Sequence, residues 1–390
     1  MPRDAPAPAA VPARSKGKEV RLVVDASGAE GGGLGTYVAS LVGAWHRGAG
    51  ADDDLFIVAS ESFARDARRQ LSGYRVITFG SGRLARFQAL YGLVERVVRD
   101  VQPDVLLAAL PLVPLSRIPC PIVAICHDLR HEFRPKEFSR LQLMARAVEY
   151  SRAYRRATKL VAISDRTARD LLDRHPGLQG KVVVVHSGCD HLPVVKRVRQ
   201  SSLKSGLAYA HHRNKRADLT IKAWALARSE TPGLSFLSVI GASGPAQKTL
   251  SRLCKELRLP ENTVRIQGVL DGAEYAQLLA TSSLVIFPSS FEGFGLPILE
   301  ALRYHVPVVV TPDPALLEIG ADHVTVASNE TPEALSSAIV TAFEIDTARR
   351  REAGAAWANR FTWAMTASAI RDVCIGAGPK TIFKGVRRPS

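Results

Sequence analysis

Short runs of β-branched and other apolar residues alternate along this chain with longer stretches whose apolar positions recur at helical spacing. Strands are expected at residues 20–24 (VRLVV), 55–58 (LFIV), 74–78, 105–108, 122–125, 160–163 and 182–186. A second set is expected at 207–210, 234–240, 264–267, 284–287 and 306–311. The runs are continuous rather than alternating, so each strand is covered on both faces, and the helical segments between them serve as crossovers. That pattern predicts α/β architecture with parallel sheets. Between the two sets lies HLPVVKRVRQSSLKSG, residues 191–206, which is polar, basic and aperiodic and reads as a linker. The expected domains are therefore 19–190 and 207–355. No repeat of solenoid length is visible. Two open α/β domains facing each other form a cleft at the carboxyl ends of their strands, where such sheets bind ligands.

Composition narrows this picture. The chain has 390 residues, 46% apolar and 23% charged, enough for two ordinary globular cores. No apolar run reaches the ~18 residues of a membrane-spanning helix. The Pro/Ala-rich start, residues 1–18, lacks the apolar segment of a signal peptide and reads as a disordered tail. Residues 376–390 read as a basic tail. Five cysteines with no C-x-x-C pair speak against a zinc site or disulfide framework and fit a reducing cytoplasm.

The formal charge of +15 favours a partner that carries phosphate: nucleic acid, anionic lipid or a diphosphate substrate. No basic motif interleaved with aromatics appears, which turns the reading away from nucleic acid. Residues 134–159 place Arg140, Arg146, Arg152, Arg155 and Arg156 on a helical pattern with Leu141, Leu143, Met144 and Val148. This is either a solvated face or an interfacial helix against an anionic membrane.

The chemistry concentrates in SSFEGFGLPILEAL, residues 289–302. It follows the strand 284–287, and Pro297 suits the first position of a helix spanning 297–304. Free N–H groups and the positive dipole end at that helix start favour an anion. Gly293 and Gly295, flanking Phe294 and followed by Leu296, remove side chains where a ligand could approach the backbone. Glu292 precedes the helix and Glu300 lies about one turn into it, so the two carboxylates reach different parts of one elongated ligand with an anionic middle. A nucleotide sugar has that layout.

Three other strand ends add to it. In YAHHRNKRADLTIKAWA, residues 209–225, the cations Arg213, Lys215 and Arg216 form a natural diphosphate clamp. GGGLGTY, residues 31–37, opens a helix with Gly33 and Gly35 suited to a phosphate or sugar. It lacks the third glycine and the acidic partner of a dinucleotide-binding oxidoreductase. His127 and Asp128 end another strand. Ser164 and Asp165 read as the cap of a helix at 166–172, with cleft contact as the alternative.

FEGFGLPILEAL, together with GGGLGTY, HDL (127–129), VAISD (161–165) and RFTW (360–363), resembles the retaining glycosyltransferases of family 4 and their E-x7-E motif. The resemblance extends over about 21–374. It implies a GT-B fold, two Rossmann-like domains with a last helix, within 356–375, crossing back onto the first. It also implies that Glu292 faces the transferred sugar, Glu300 holds the ribose, and the backbone of 293–296 surrounds the donor. By the same resemblance His127 touches the donor sugar, Lys215 neutralises the diphosphate, and Gly33 and Gly35 lie near the leaving group and acceptor. The family's early Gly-Arg is replaced here by Tyr209 and Ala210, which leaves Arg213 as substitute and Arg216 in reserve.

The implied activity is retaining transfer of a hexose, mannose from guanosine-diphosphate mannose first, to a saccharide or polyprenyl-linked acceptor in surface polysaccharide synthesis. No metal or cofactor is required, and the place is cytoplasmic, at the inner face of the membrane if the basic helix binds it. The alternatives are a sugar-nucleotide epimerase or hydrolase, and a non-catalytic partner subunit with a degenerate site.

Overall fold

The computed structural model describes residues 20–378, apart from 30, 49–50, 81 and 196–203. The expected tail at 1–18, the middle of the expected linker and most of the basic tail lie outside the described residues.

Among the described residues the strands form two sheets, both parallel throughout. The first contains β1 (Arg21–Asp25), β2 (Asp54–Ser60), β3 (Arg75–Phe79), β4 (Val105–Ala108), β5 (Ile122–Cys126), β6 (Lys159–Ala162) and β7 (Val182–Val184). Its order is β3-β2-β1-β4-β5-β6-β7. The second contains β8 (Lys204–Tyr209), β9 (Leu234–Ile240), β10 (Val264–Ile266), β11 (Leu284–Phe287), β12 (Val308–Val310) and β13 (Thr325–Val326), in the order β10-β9-β8-β11-β12-β13.

The continuous apolar runs are central strands: every residue of β1, β2, β4, β5 and β11 is buried, as strands covered by helices on both faces require. Several boundaries depart from expectation, and one strand was not expected at all. β8 begins at Lys204, inside the expected linker, because its register with β9 runs back to Leu234. The run at 306–311 contributes only Val308–Val310 to β12. β13 has two residues, too few for periodicity to reveal.

In each sheet the strand order reverses in the middle, between β1 and β4 and between β8 and β11. Such switch points open a crevice beyond the strand ends. The glycine run follows β1, the HHRNKR turn follows β8, and the FEGFG loop follows β11, so all three sit at switch points.

The chain closes by returning to its start. Thr362 caps the helix Trp363–Ala377, which runs past the expected end at 375. The Trp363 N–H donates to Asp190 Oδ1 at 2.7 Å. Arg371 grips Asp53 with two N–H groups, at 2.8 and 3.1 Å, and Trp45 donates to the same carboxylate at 2.9 Å. A buried, bidentate pair of this kind holds the last helix on the first domain. Apolar packing is continuous from one sheet to the other through Cys189, Phe294 and Trp363.

Candidate active site

The helix after β11 spans Leu296–Arg303, one residue earlier than expected, so Pro297 takes the second helical position. The first four N–H groups of a helix lack intrahelical partners, so proline costs nothing there either. Gly295 precedes it with φ +96°, a left-handed conformation open to glycine.

The structure corrects the reason for both glycines. A Cβ on Gly293 would lie 1.7 Å from the carbonyl oxygen of His127, and one on Gly295 would lie 2.9 Å from Leu316. Their missing side chains admit the protein itself. At Gly293 it is the first domain's backbone that enters.

Around Glu292 every hydrogen bond from the described residues falls on one oxygen. Lys215 Nζ donates to Oε1 at 2.6 Å, Asn214 Nδ2 at 3.1 Å, and the Ser289 hydroxyl completes the set. The Lys215 ammonium also lies 4.6 Å from the centre of the Phe287 ring. Glu292 and Lys215 are 12% and 15% exposed, so the pair is nearly buried yet open to a ligand. The other carboxylate oxygen remains available as an acceptor.

Glu300 is deeper. Tyr275 donates to its Oε2 at 2.6 Å, the Tyr209 and Tyr275 hydroxyls are 2.7 Å apart, and His191 Nε2 lies 3.2 Å from Oε1.

The first domain meets this loop directly. His127 Nε2–H donates to the Ala109 carbonyl at 2.9 Å, and the ring packs edge-on against Tyr37. Burial lowers its pKa, so the imidazole is neutral at neutral pH. Ser164 accepts from the Thr167 N–H as the expected cap and also donates to the Gly293 carbonyl at 2.5 Å, so capping and cleft contact are both realised. The helix it caps is Asp165–Arg174.

The N–H groups of Asp165 and Arg166 each donate to Glu318 at 2.8 Å, and His186 reaches the same carboxylate at 2.9 Å. Asp165, His186 and Glu318 each place one possible metal-ligand atom within 4.8 Å of the others, but the Glu318 oxygens are already taken by domain contacts. Arg130 donates to Asn214 Oδ1 at 2.9 Å and Arg134 to the Ser290 carbonyl at 3.1 Å, which ties the first domain to the second at the site itself.

Of the residues named from sequence, the fold brings together Glu292, Lys215, His127 and the 293–296 loop, with Glu300 one turn behind. Phe294 points away, buried near His186 and Phe361. Leu296 is half-buried at the helix start. Arg213 is exposed, and Arg216, with φ 52°, pairs instead with Glu330 at 2.7 Å; of these three cations it is Lys215 that meets Glu292. Gly33 and Gly35 lie inside the helix Gly32–Arg47 rather than in a loop, because Gly31 and Gly32 take the positive φ values of the turn.

Sequence reasoning missed Asn214, Ser289, Tyr275 and His191. Asn214 carried a faint signal, a short amide between two cations in a strand-to-helix turn. Tyr275 carried none, since it belongs to the helix before β11.

Comparison with known proteins agrees in both halves. The sequence profile described as Glycosyltransferase Family 4 matches residues 31–191, and that described as Glycosyl transferases group 1 matches 209–357. The chain is similar to O-antigen chain mannosyltransferase B of Escherichia coli, 34% identical over 26% of this chain and 28% of that protein. It is also similar to D-inositol 3-phosphate glycosyltransferase of Kineococcus radiotolerans, 30% identical over 56% of this chain and 57% of that protein. These matches span little more than half, or less, of each relative's length. In fold the chain is similar to Anabaena Alr3699/HepE, solved in complex with UDP and glucose, with TM-score 0.69 and 18% identity over 92% of this chain and all of that one.

Proposed function

The chain belongs to glycosyltransferase family 4, and on that premise we propose that it is a retaining glycosyltransferase. It moves a hexose, mannose first, from a nucleotide-diphosphate sugar to a hydroxyl of a saccharide or lipid-linked saccharide, in surface polysaccharide or glycoconjugate synthesis. The observation that carries this reading is the knot of Lys215, Asn214 and Ser289 on Glu292 at the start of the helix Leu296–Arg303. The similarity to a mannosyltransferase of O-antigen chains supports the choice of sugar.

In this mechanism the diphosphate lies over the free N–H groups of the helix start with Lys215 beside it, and charge developing on the leaving group is neutralised in a largely dry site. Glu292 is held in place by its three donors and uses its remaining oxygen for a sugar hydroxyl. His127, neutral and anchored through Nε2, faces the same sugar. Glu300 accepts from the ribose. The departing phosphate oxygen takes the proton of the acceptor hydroxyl on the face it leaves, so the anomeric configuration is retained. Positive groups supplied by the protein make a divalent ion unnecessary in this scheme.

The test is a titration with nucleotide diphosphates and their sugars, following thermal stability in EDTA. One sugar nucleotide should raise the midpoint, and the rise should vanish in Lys215→Ala and Glu300→Ala. An acceptor-dependent product assay comes next: product formed without acceptor points to hydrolysis or epimerisation, and no donor response at all sinks the enzymatic reading.

A further inference from the structure

A second cavity, of about 970 Å³, lies in the first domain, and none of the donor-site residues lines it. One wall is the helix Arg140–Arg156, through Leu143, Ala147, Tyr150 and Tyr154; the opposite wall includes Pro135, Pro176 and Leu178. The volume suits a ligand of drug or lipid size.

Two polar groups in the lining are poorly satisfied. His131 is 4% exposed and neither ring nitrogen makes a hydrogen bond, Nε2 lying 3.7 Å from the Glu132 carboxylate; the buried Tyr154 hydroxyl has that same carboxylate beside it, without a well-formed hydrogen bond. Buried polar groups are rarely left so without a reason. A neutral imidazole and a phenol both offer a donor to a ligand oxygen.

The same helix continues this surface outward. Leu141, Met144 and Val148 are 76%, 68% and 58% exposed. At helical spacing they occupy the arc beside the cavity-facing residues, so the apolar strip runs from inside the cavity onto open surface. The arginines divide into two groups. Arg146 covers Phe138, Arg152 covers Tyr91, and Arg156 donates to the carbonyls of Pro114 and Ser116. Arg140 and Arg155 stay exposed beside the strip, and Arg155 and Lys181 stand at the cavity itself.

Aliphatic walls, donors at depth and cations at the rim describe one kind of molecule. We infer that the cavity binds a single anionic, ester-linked phospholipid taken from a bilayer. Its acyl chain lies along Leu143, Ala147 and Leu178, ester oxygens meet His131 and Tyr154, and the phosphate meets Arg155, Arg140 and Lys181. Leu141, Met144 and Val148 enter the bilayer and set the mouth at headgroup depth. The site is independent of which sugar is transferred.

The full chain is floated with vesicles of phosphatidylglycerol in phosphatidylcholine, and with phosphatidylcholine alone, and retained lipid is counted by native mass spectrometry. One phosphatidylglycerol per chain is expected, falling at least tenfold in Ala147→Trp, which fills the cavity and leaves the strip and rim cations in place. The donor-induced thermal shift is read in the same variant and should not change, which separates this site from the transferase reading. If Ala147→Trp does not fold, His131→Phe is read instead, with the same expectation. Equal retention by native and filled chains, or no preference for phosphatidylglycerol, overturns the proposal. So does displacement by glycerol 3-phosphate, which would leave only a phosphate pocket.

Discussion

Two glycine-rich loops face each other across the cleft, and they use glycine for opposite ends. In the second domain, Gly293 and Gly295 are packed so tightly that a methyl group would meet His127 or Leu316. In the first, nothing lies within 4 Å of where a Cβ would sit on Gly31, Gly32 or Gly33. One loop lets protein touch protein; the other leaves open space at a helix start. The same composition therefore marks a domain contact in the second domain and an accessible backbone in the first.

The largest effect that tests this contrast is expected for Gly293→Ala. Its Cβ cannot coexist with the His127 carbonyl, so the domains must part or the loop must move, at a cost of about 3 kcal/mol or more. Thermal unfolding should drop by several degrees and scattering should show a more open chain; an unchanged midpoint would mean that the contact is incidental. Next comes Glu292→Gln, which keeps the shape and removes the charge. Turnover should fall roughly a hundredfold or more with little change in stability, and full transfer activity would remove Glu292 from the mechanism.

Smaller effects are expected at the clasp. Burial raises the Glu318 pKa, but His186 and the N–H groups of Asp165 and Arg166 outweigh it, and the net value is lowered. A lowered carboxylate stabilises the docked domains above its unfolded pKa, ~4.3, and that contribution is lost as pH falls through the folded value. Glu318→Gln should cost about 1–3 kcal/mol at neutral pH and flatten the acid limb of the stability profile. An acid limb identical to the native one would assign the pH dependence elsewhere.

The smallest effect belongs to Gly33→Ala. Gly33 has an ordinary helical backbone in open space, so alanine should stabilise the chain by about 0.5–1 kcal/mol. If the open loop receives acceptor or leaving group, KM should rise while the midpoint does not fall. A large loss of stability would show that this loop is packed like its counterpart.

Much of the architecture was legible because a parallel strand buried on both faces must be continuously apolar, as LFIV and VRLVV are. The meeting of Glu292, Lys215 and His127 was legible for a related reason: all three follow strands, where the topology directs loops into the cleft. Strand limits were less so. Nothing local distinguishes Lys204 as the start of β8 from the basic linker before it, since its pairing partner lies on a strand 30 residues on. The HHRNKR turn was half legible: three cations within four residues announce a turn, but only the left-handed backbone at Arg216 sends that side chain to Glu330.

Spacing alone was enough to put two carboxylates at one helix start, Glu292 before it and Glu300 a turn inside, because seven intervening residues and a helical rise bring them there in any fold that forms the helix. Chain contacts between distant positions were decided by the tertiary structure. Tyr275 and His191 converge on Glu300 from a helix and from the end of the first domain. Arg130 reaches Asn214 across the cleft. Gly293 makes room for a backbone 166 residues away, a contact that exists only once the two sheets are docked. Hydrophobic periodicity is a property of each segment, whereas these contacts depend on the orientation of one domain against the other.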